Sequence, residues 1–442
     1  MNVWIESVCS EGWEKEVIDY FKKKKIWDKV IYKKYPIYQY SVFLFEEEIK
    51  KTSSINYMPS DMYENIYKHI FVFMDLYSRN SPLSQDSYSL RNTHDFMELF
   101  NLEVNYIYTQ FKENQIDLYI IQRSPHLGID YLRCIVAKEM GIRTLILEQS
   151  LTPNRFFYYW DYYDYGYFKT SRPLFEKEKV TIKKEYKKEW FYTRPQKTPL
   201  KKRIKSYILP SVSFRRMCRL SNFQCLLYNH LLYRRYKTNA KKYISKDVDL
   251  SAKFIYFAMH LQPEKTTSTW GGVYNDQLLA IERLSSIIPE DWYIYVKDNP
   301  AQGFFMRGEW FYKRLSLIPK VKVVSSDTNT FMLTEKSQFV STITGTVGWE
   351  AITGGKCVLY FGWGTWYKTF PGAFEYSDNI DVNAIASYHI DHQEVEDRMS
   401  ELLTKMGYGV IYEEYYEMVE NFSEEQNAKD IIHSFEKILD VK

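Results

Sequence analysis

The stretch STITGTVGWEAITGGKCVLYFGWGTWY, Ser341–Tyr367, holds six of the chain's seventeen glycines. A β-branched run ending at Thr344 and turning through Gly345 into a helix over Thr346–Thr353 presents unpaired N–H groups and the positive end of a helix dipole. That is an anion site. Thr344 and Thr346 add hydroxyl donors, Gly348 permits close approach, and Glu350, one turn into the helix, could accept hydrogen bonds from a ribose. Gly354 and Gly355 read as the helix stop, and Gly362 and Gly364 as a loop at the end of the next strand, where open α/β sheets place ligands. One strand–glycine–helix turn is ordinary chain punctuation. Two further polar loops follow apolar runs, HLQPE (His260–Glu264) and VKDNP (Val296–Pro300), so Gln262, Glu264, Lys297 and Asn299 are expected at the same sheet edge. Three such loops describe a nucleotide-phosphate pocket. Neither a Walker A loop nor a Gly-x-Gly-x-x-Gly fingerprint is present, which sets aside ordinary NTPase and NAD chemistry.

The elements that must hold these loops alternate regularly. Strand-like runs at 253–260, 292–297, 321–325, 339–344 and 357–362 are separated by helical periodicity over 275–288, 310–317, 328–337 and 346–353. This spacing predicts a parallel sheet covered on both faces. In the first half, a strand over 1–8, a helix over 12–24 and a βαβ unit at 116–122, 128–140 and 143–149 repeat the theme. With 442 residues, two α/β domains are expected: an N-terminal Rossmann-like domain over 1–175, a basic, partly helical linker over 176–250, a C-terminal Rossmann-like domain over 251–400, and C-terminal helices over 401–442.

Composition bounds the setting. Hydrophobic residues at 45% and charged residues at 26% give a globular balance. The five cysteines are scattered without CxxC spacing, so neither a disulfide framework nor a zinc site is expected. No apolar leader or membrane-length apolar run is seen, and the expected location is the cytoplasm, with peripheral contact at the inner face of the plasma membrane as a further expectation. The net charge of +3 conceals a block from Trp190 to Lys246 with fifteen Lys and Arg and no Asp or Glu. Such a block attracts anions: a membrane surface or a phosphorylated substrate. No nucleic-acid module accompanies it, so nucleic acid is not an expected partner. Within it Leu220, Phe223, Leu227 and Leu231 share one helical face near Arg219, Arg234 and Arg235, a pattern that suits either lipid or the protein's own core.

QPE at 262–264, VKDNP, TITGTVGWEAITGGKCVLYFG at 342–362, SPHLGIDYL at 124–132 and LEQSLTPNRFF at 147–157 together resemble the capsule polysaccharide synthesis family, the group of KpsS-like and KpsC-like bacterial glycosyltransferases. The resemblance implies a GT-B-like fold, two Rossmann-like domains with parallel sheets facing a central cleft. It implies a CMP-activated sugar acid of Kdo, pseudaminic or sialic type as donor, and a glycan or lipid-linked glycan as acceptor, with retention favoured and no cofactor or metal required. The family's Gln-Pro motif is kept at Gln262-Pro263, whereas Asn299 replaces the histidine of its His-Pro motif, leaving Lys297 to supply charge. Stabilising the CMP phosphate would fall to Lys297, Thr344, Thr346 and the helix end. A carboxylate across the cleft is needed as base or nucleophile. Glu148 is the first candidate, at a strand end where the family carries an acidic pair that Gln149 here breaks; Asp130 and His126 follow. The aromatic run Arg155–Phe168 could line the acceptor site or touch a membrane, or simply be a tyrosine-rich strand and turn. A CDP-glycerol-type glycerophosphotransferase and a non-catalytic glycan-assembly partner are the competing readings.

Overall fold

A computed structural model describes residues 1–7, 12–34, 49, 52, 54–78, 92–186, 220–304 and 306–441. The first sheet contains β1 (Asn2–Ser7), β2 (Lys29–Lys34), β3 (Leu118–Ile121), β4 (Arg143–Gln149) and β5 (Arg155–Tyr159). The second contains β6 (Lys253–Ala258), β7 (Trp292–Lys297), β8 (Val321–Val324), β9 (Val340–Thr342), β10 (Val358–Tyr360) and β11 (Ala373–Glu375). A short strand near the end of the chain, β12 (Gly407–Tyr408), returns to the first sheet. The architecture is α/β and GT-B-like, two Rossmann-like domains facing a cleft.

The second sheet runs β11-β10-β9-β6-β7-β8, with every pairing parallel. The chain therefore winds outward from β6 to β8, jumps back, and winds outward again from β9. Where β6 and β9 lie side by side, their following loops diverge to opposite faces and leave a crevice at the carboxyl edge, which is where this topology places ligands. Central strands such as β6, β7 and β10 are almost wholly buried, as helices on both faces require. The first sheet runs β12-β5-β4-β3-β1-β2, parallel from β2 through β4 and antiparallel at β5 and β12.

Sequence periodicity located most of the second domain within a residue or two. It did not find β2, which is short and half-exposed, nor the helices Ser60–Tyr67, Ile70–Ser78 and Thr93–Glu113 that cross between β2 and β3. The last begins with a capping box, Asn92 and Asp95 exchanging side-chain and backbone bonds, a local signal that was there to be read.

The chain end crosses between domains. After the helix His392–Thr404, β12 pairs with β5, and the helix Glu424–Leu439 packs on the helix Trp13–Lys23. The segment 401–442 is thus helices plus an edge strand, built onto the first domain. The basic block falls largely outside the described residues: 187–219 are not described, and of the amphipathic set Leu220, Phe223 and Leu227 only the helical backbone is. That helix, Leu220–Lys242, is present. Its later half docks on the second domain through Arg235 to Glu309 and, just beyond it, Tyr243 stacked on Tyr312 at 5.8 Å, while Leu231 and Tyr233 face outward. Among the described residues no helix is long and apolar enough to cross a membrane.

Candidate functional site

A cavity of about 1100 Å³ opens between the two sheets, at the carboxyl edges of β4, β6, β7 and β9. Its second-domain wall is the crevice beside β6 and β9. Gly345 is the N-cap of the helix Thr346–Gly354, and Gly345, Thr346 and Val347 border the space; the Gly345 N–H donates to the Thr342 hydroxyl oxygen and the Gly348 N–H to the Gly345 carbonyl, which leaves the Thr346 and Val347 N–H groups without intrahelical acceptors at the cavity's edge. Glu350 lies on the same wall. Thr344 also borders the cavity, its hydroxyl donating to the Thr266 carbonyl at 2.8 Å. Lys297, at the end of β7, donates to the Thr328 carbonyl and the Thr330 hydroxyl, each at 2.7 Å. No carboxylate among the described residues lies within ion-pair distance of it, and burial lowers its pKa. A buried ammonium held by neutral oxygens is poised for an incoming anion. Asn299 borders the cavity while its side-chain oxygen accepts from the Ala301 N–H at 2.9 Å.

The first-domain wall centres on Glu148, 5% exposed at the end of β4. One carboxylate oxygen accepts from Lys265 Nζ at 2.6 Å and from the Tyr412 hydroxyl at 3.4 Å; the other accepts from the Ser124 N–H at 3.0 Å. Glu264 borders the same space, with His126 Nδ1 3.4 Å from its Oε1. Glu264, Lys297, Asn299, Thr344, Gly345, Thr346, Glu350 and Glu148 therefore meet around one cavity.

The remaining candidates stand behind it. Gln262 is turned away: its amide donates to the Asn275 carbonyl at 2.6 Å, and its oxygen accepts from Gln277 at 3.0 Å and Arg307 at 3.2 Å. Arg307, 1% exposed, also forms a two-point pair with Asp298, so this network fixes the loops after β6 and β7 to each other. Asp130 accepts from the N–H groups of His126, Leu127 and Tyr131 at 2.7–2.8 Å and so shapes the loop before the helix Ile129–Glu139; burial, reinforced by Glu6, pushes its pKa up to about 6. Gly348 lies under Tyr367, where a Cβ would stand 2.1 Å from the hydroxyl, and that hydroxyl donates to the Gly345 carbonyl at 2.7 Å. Its smallness serves the helix seat.

Three contributors were not singled out from sequence. Lys265 follows the Gln-Pro motif and reaches across the cleft. His260 borders the cavity, its Nε2 accepting from the Thr344 N–H at 3.3 Å and lying 2.8 Å from the Thr342 hydroxyl; burial, then Arg307, lowers its pKa to about 4, so it is a neutral acceptor that pins the β9 turn. Tyr415, from the returning chain end, closes one side. A sequence signal existed for the first two, since both flank QPE. None existed for Tyr415. Gln149 acts as a clip: its oxygen accepts from the Ile411 N–H at 2.8 Å and its amide donates to the Arg155 carbonyl at 3.0 Å. A glutamate could make only the first of these bonds.

Most of the aromatic run faces inward, with Tyr163 and Tyr167 exposed. Tyr165 stacks on Trp270 at 4.5 Å, Tyr162 meets Trp363 at 5.1 Å, and Phe157 meets Trp366 at 5.9 Å. These contacts form the seam between domains, and Phe157 and Tyr165 also border the cavity.

Residues 198–373, which include the β6, β7 and β9 loops just described, match the family model for capsule polysaccharide biosynthesis proteins. No curated protein matches the chain. Among solved structures, KpsC of Thermosulfurimonas dismutans, described as a beta Kdo 2,7 transferase, is similar at 10% identity over 98% of this chain and 99% of its own, with a TM-score of 0.36. The UDP-GlcNAc 2-epimerase of Methanocaldococcus jannaschii aligns at 10% identity over 91% and 99%, TM-score 0.26. MurG of Acinetobacter baumannii aligns at 9% over 97% and 99%, TM-score 0.26. The two-sheet architecture stands on the strand pairings themselves.

Proposed function

We propose that this protein is a glycosyltransferase of capsular or surface polysaccharide assembly that transfers an ulosonic or nonulosonic acid from a CMP-activated donor to a glycan acceptor, with retention. One observation carries the reading: a single cleft sets an anion site, Lys297 with the Gly345–Thr346 helix end, opposite a buried carboxylate, Glu148. The match of residues 198–373 to the family model for capsule polysaccharide biosynthesis proteins supports a role in the corresponding biosynthesis.

The chemistry balances on these residues. The CMP phosphate lies at the helix end and Lys297, whose fixed charge stabilises the leaving group as the bond from anomeric carbon to phosphate oxygen breaks. The electron pair leaves with CMP while a Glu148 oxygen bonds the anomeric carbon. The acceptor hydroxyl oxygen then displaces Glu148 from the opposite face, its proton passing to Glu264, beside which His126 stands at 3.4 Å. Two displacements return the original configuration. Asp130 acts at one remove, by shaping the His126 loop.

The test is CMP release from CMP-Kdo, CMP-sialic acid, CMP-pseudaminic acid and CDP-glycerol with short capsule-like acceptors, for wild type, Glu148→Gln and Lys297→Ala. Release from one CMP-sugar with acceptor extension, lost in both variants, supports the proposal; the product anomer, read by NMR, decides retention. Turnover of CDP-glycerol alone would make it a glycerophosphotransferase. Silence with no CMP binding would leave the cleft without this role.

A further inference from the structure

Lys265 has no place in the steps above, yet it is ion-paired with the carboxylate that carries them out. Its ammonium donates to Glu148 at 2.6 Å and lies 4.9 Å from the centre of the Trp270 ring. It borders the main cavity with a side chain only 15% exposed. An ammonium has three N–H donors, and Glu148 takes one. Glu264, the adjacent residue, attracts its charge, and Arg123 stands close enough to oppose it. A plain interdomain ion pair would not need to sit at the surface of the cavity.

We propose that Lys265 forms a carboxylate subsite, which reads the acid group of the donor sugar and so selects sugar acids over neutral sugars; this rests on the transferase reading above. The reason is geometric. In a 2-keto sugar acid the carboxylate is bonded directly to the anomeric carbon, so any group that reaches that carbon is also within a few ångströms of the carboxylate oxygens. A cation 2.6 Å from the attacking oxygen of Glu148 is therefore within reach of the donor's carboxylate. It also offsets the repulsion that two carboxylates would otherwise feel at that separation. A neutral sugar offers this site no anion and leaves two ammonium donors without a partner in a largely buried place, which costs affinity.

The subsite is tested by calorimetry on the full chain with CMP, with hydrolysis-resistant fluorinated analogues of CMP-Kdo and CMP-N-acetylneuraminate, and with the methyl ester of each analogue. The expected result is that the free acid binds wild type at least tenfold more tightly than its ester. In Lys265→Met that ratio collapses toward one while the affinity for CMP itself is kept, and Lys265→Arg restores most of it. An unchanged acid-to-ester ratio in Lys265→Met overturns the subsite. So does an equal loss of affinity for CMP, acid and ester, which would make Lys265 a structural latch between domains. If wild type binds CMP but discriminates no acid from its ester, the subsite falls while the nucleotide pocket stands; if wild type binds none of these probes, the transferase reading falls with it.

Discussion

Lys297 and Glu148 are both buried and both face the cavity, but their partners differ in kind. Lys297 is held by a carbonyl and a hydroxyl, with Asp327 acting on it only beyond ion-pair distance, so it has charge to offer an incoming anion. Removing it in Lys297→Met should weaken CMP binding tenfold or more, read by calorimetry, with little loss of stability because a costly buried charge goes too. Glu148 is already satisfied by Lys265 and Ser124, which fixes its orientation. With a fluorinated donor that slows the second displacement, wild type should accumulate a covalent sugar adduct, visible as a mass increase of the intact protein and mapped to the peptide carrying Glu148. Its absence under turnover conditions would argue for a single displacement.

Two buried groups give opposite pH dependences of stability. Asp130 has its pKa raised to about 6 from 3.8: the native state keeps a proton that the unfolded chain has lost, so this contribution falls as pH rises from about 4 to 6. His260 has its pKa lowered to about 4 from 6.5: the unfolded chain binds the extra proton, so its contribution rises over that range and on to 6.5. Each is worth roughly 3 kcal/mol at most, and below pH 6 they offset. Replacing His260 with Gln should uncover the Asp130 slope, with melting temperature falling relative to wild type as pH goes from 4 to 6.5.

At the scale of elements, the glycine-rich stretch does two separate jobs. Gly345 and the helix it opens meet the cavity. Gly348, Gly362 and Gly364 let other groups close in from behind: a Cβ on Gly364 would stand 2.2 Å from the Trp270 ring. Gly364→Ala should therefore cost about 1–3 kcal/mol in urea unfolding and disturb the Trp270–Tyr165 stack at the domain seam, with a change in tryptophan fluorescence. The same residue type at similar spacing thus serves ligand approach in one turn and tight packing in the next.

For the molecule as a whole, the returning chain end matters most. It carries Tyr412 to Glu148 and Tyr415 to the cavity, and it is held by Asn427, whose side chain accepts from the Val410 N–H at 2.7 Å and donates to its carbonyl at 2.9 Å. Asn427→Ala would leave both buried backbone groups unpaired, at about 1–3 kcal/mol each. The expected outcome is a destabilised first domain and reduced turnover with CMP affinity intact, because Lys297 and the helix end belong to the other domain. The two domains also touch tightly elsewhere: at Gly166, in a left-handed conformation at φ +91°, a Cβ would lie 2.2 Å from the Thr365 carbonyl oxygen.

The sequence by itself determined the alternation that makes two α/β domains, the strands and helices of the second one, and the loops after β6, β7 and β9 that share one edge. Those are local matters: hydrophobic period, glycine and proline punctuation, and the rule that parallel strands of one sheet end on the same side. Only the tertiary structure decided which residues in those loops face the cavity. Gln262 and Gly348 point into packing, while Lys265 and His260, their near neighbours in sequence or space, border the cleft, because side-chain direction depends on loop conformation and on what fills the space behind. It alone placed Glu148 against Lys265, 117 residues away, and wound the chain end back to the first sheet. Pairings across that distance are set by how two finished domains close on each other, and no local pattern encodes them.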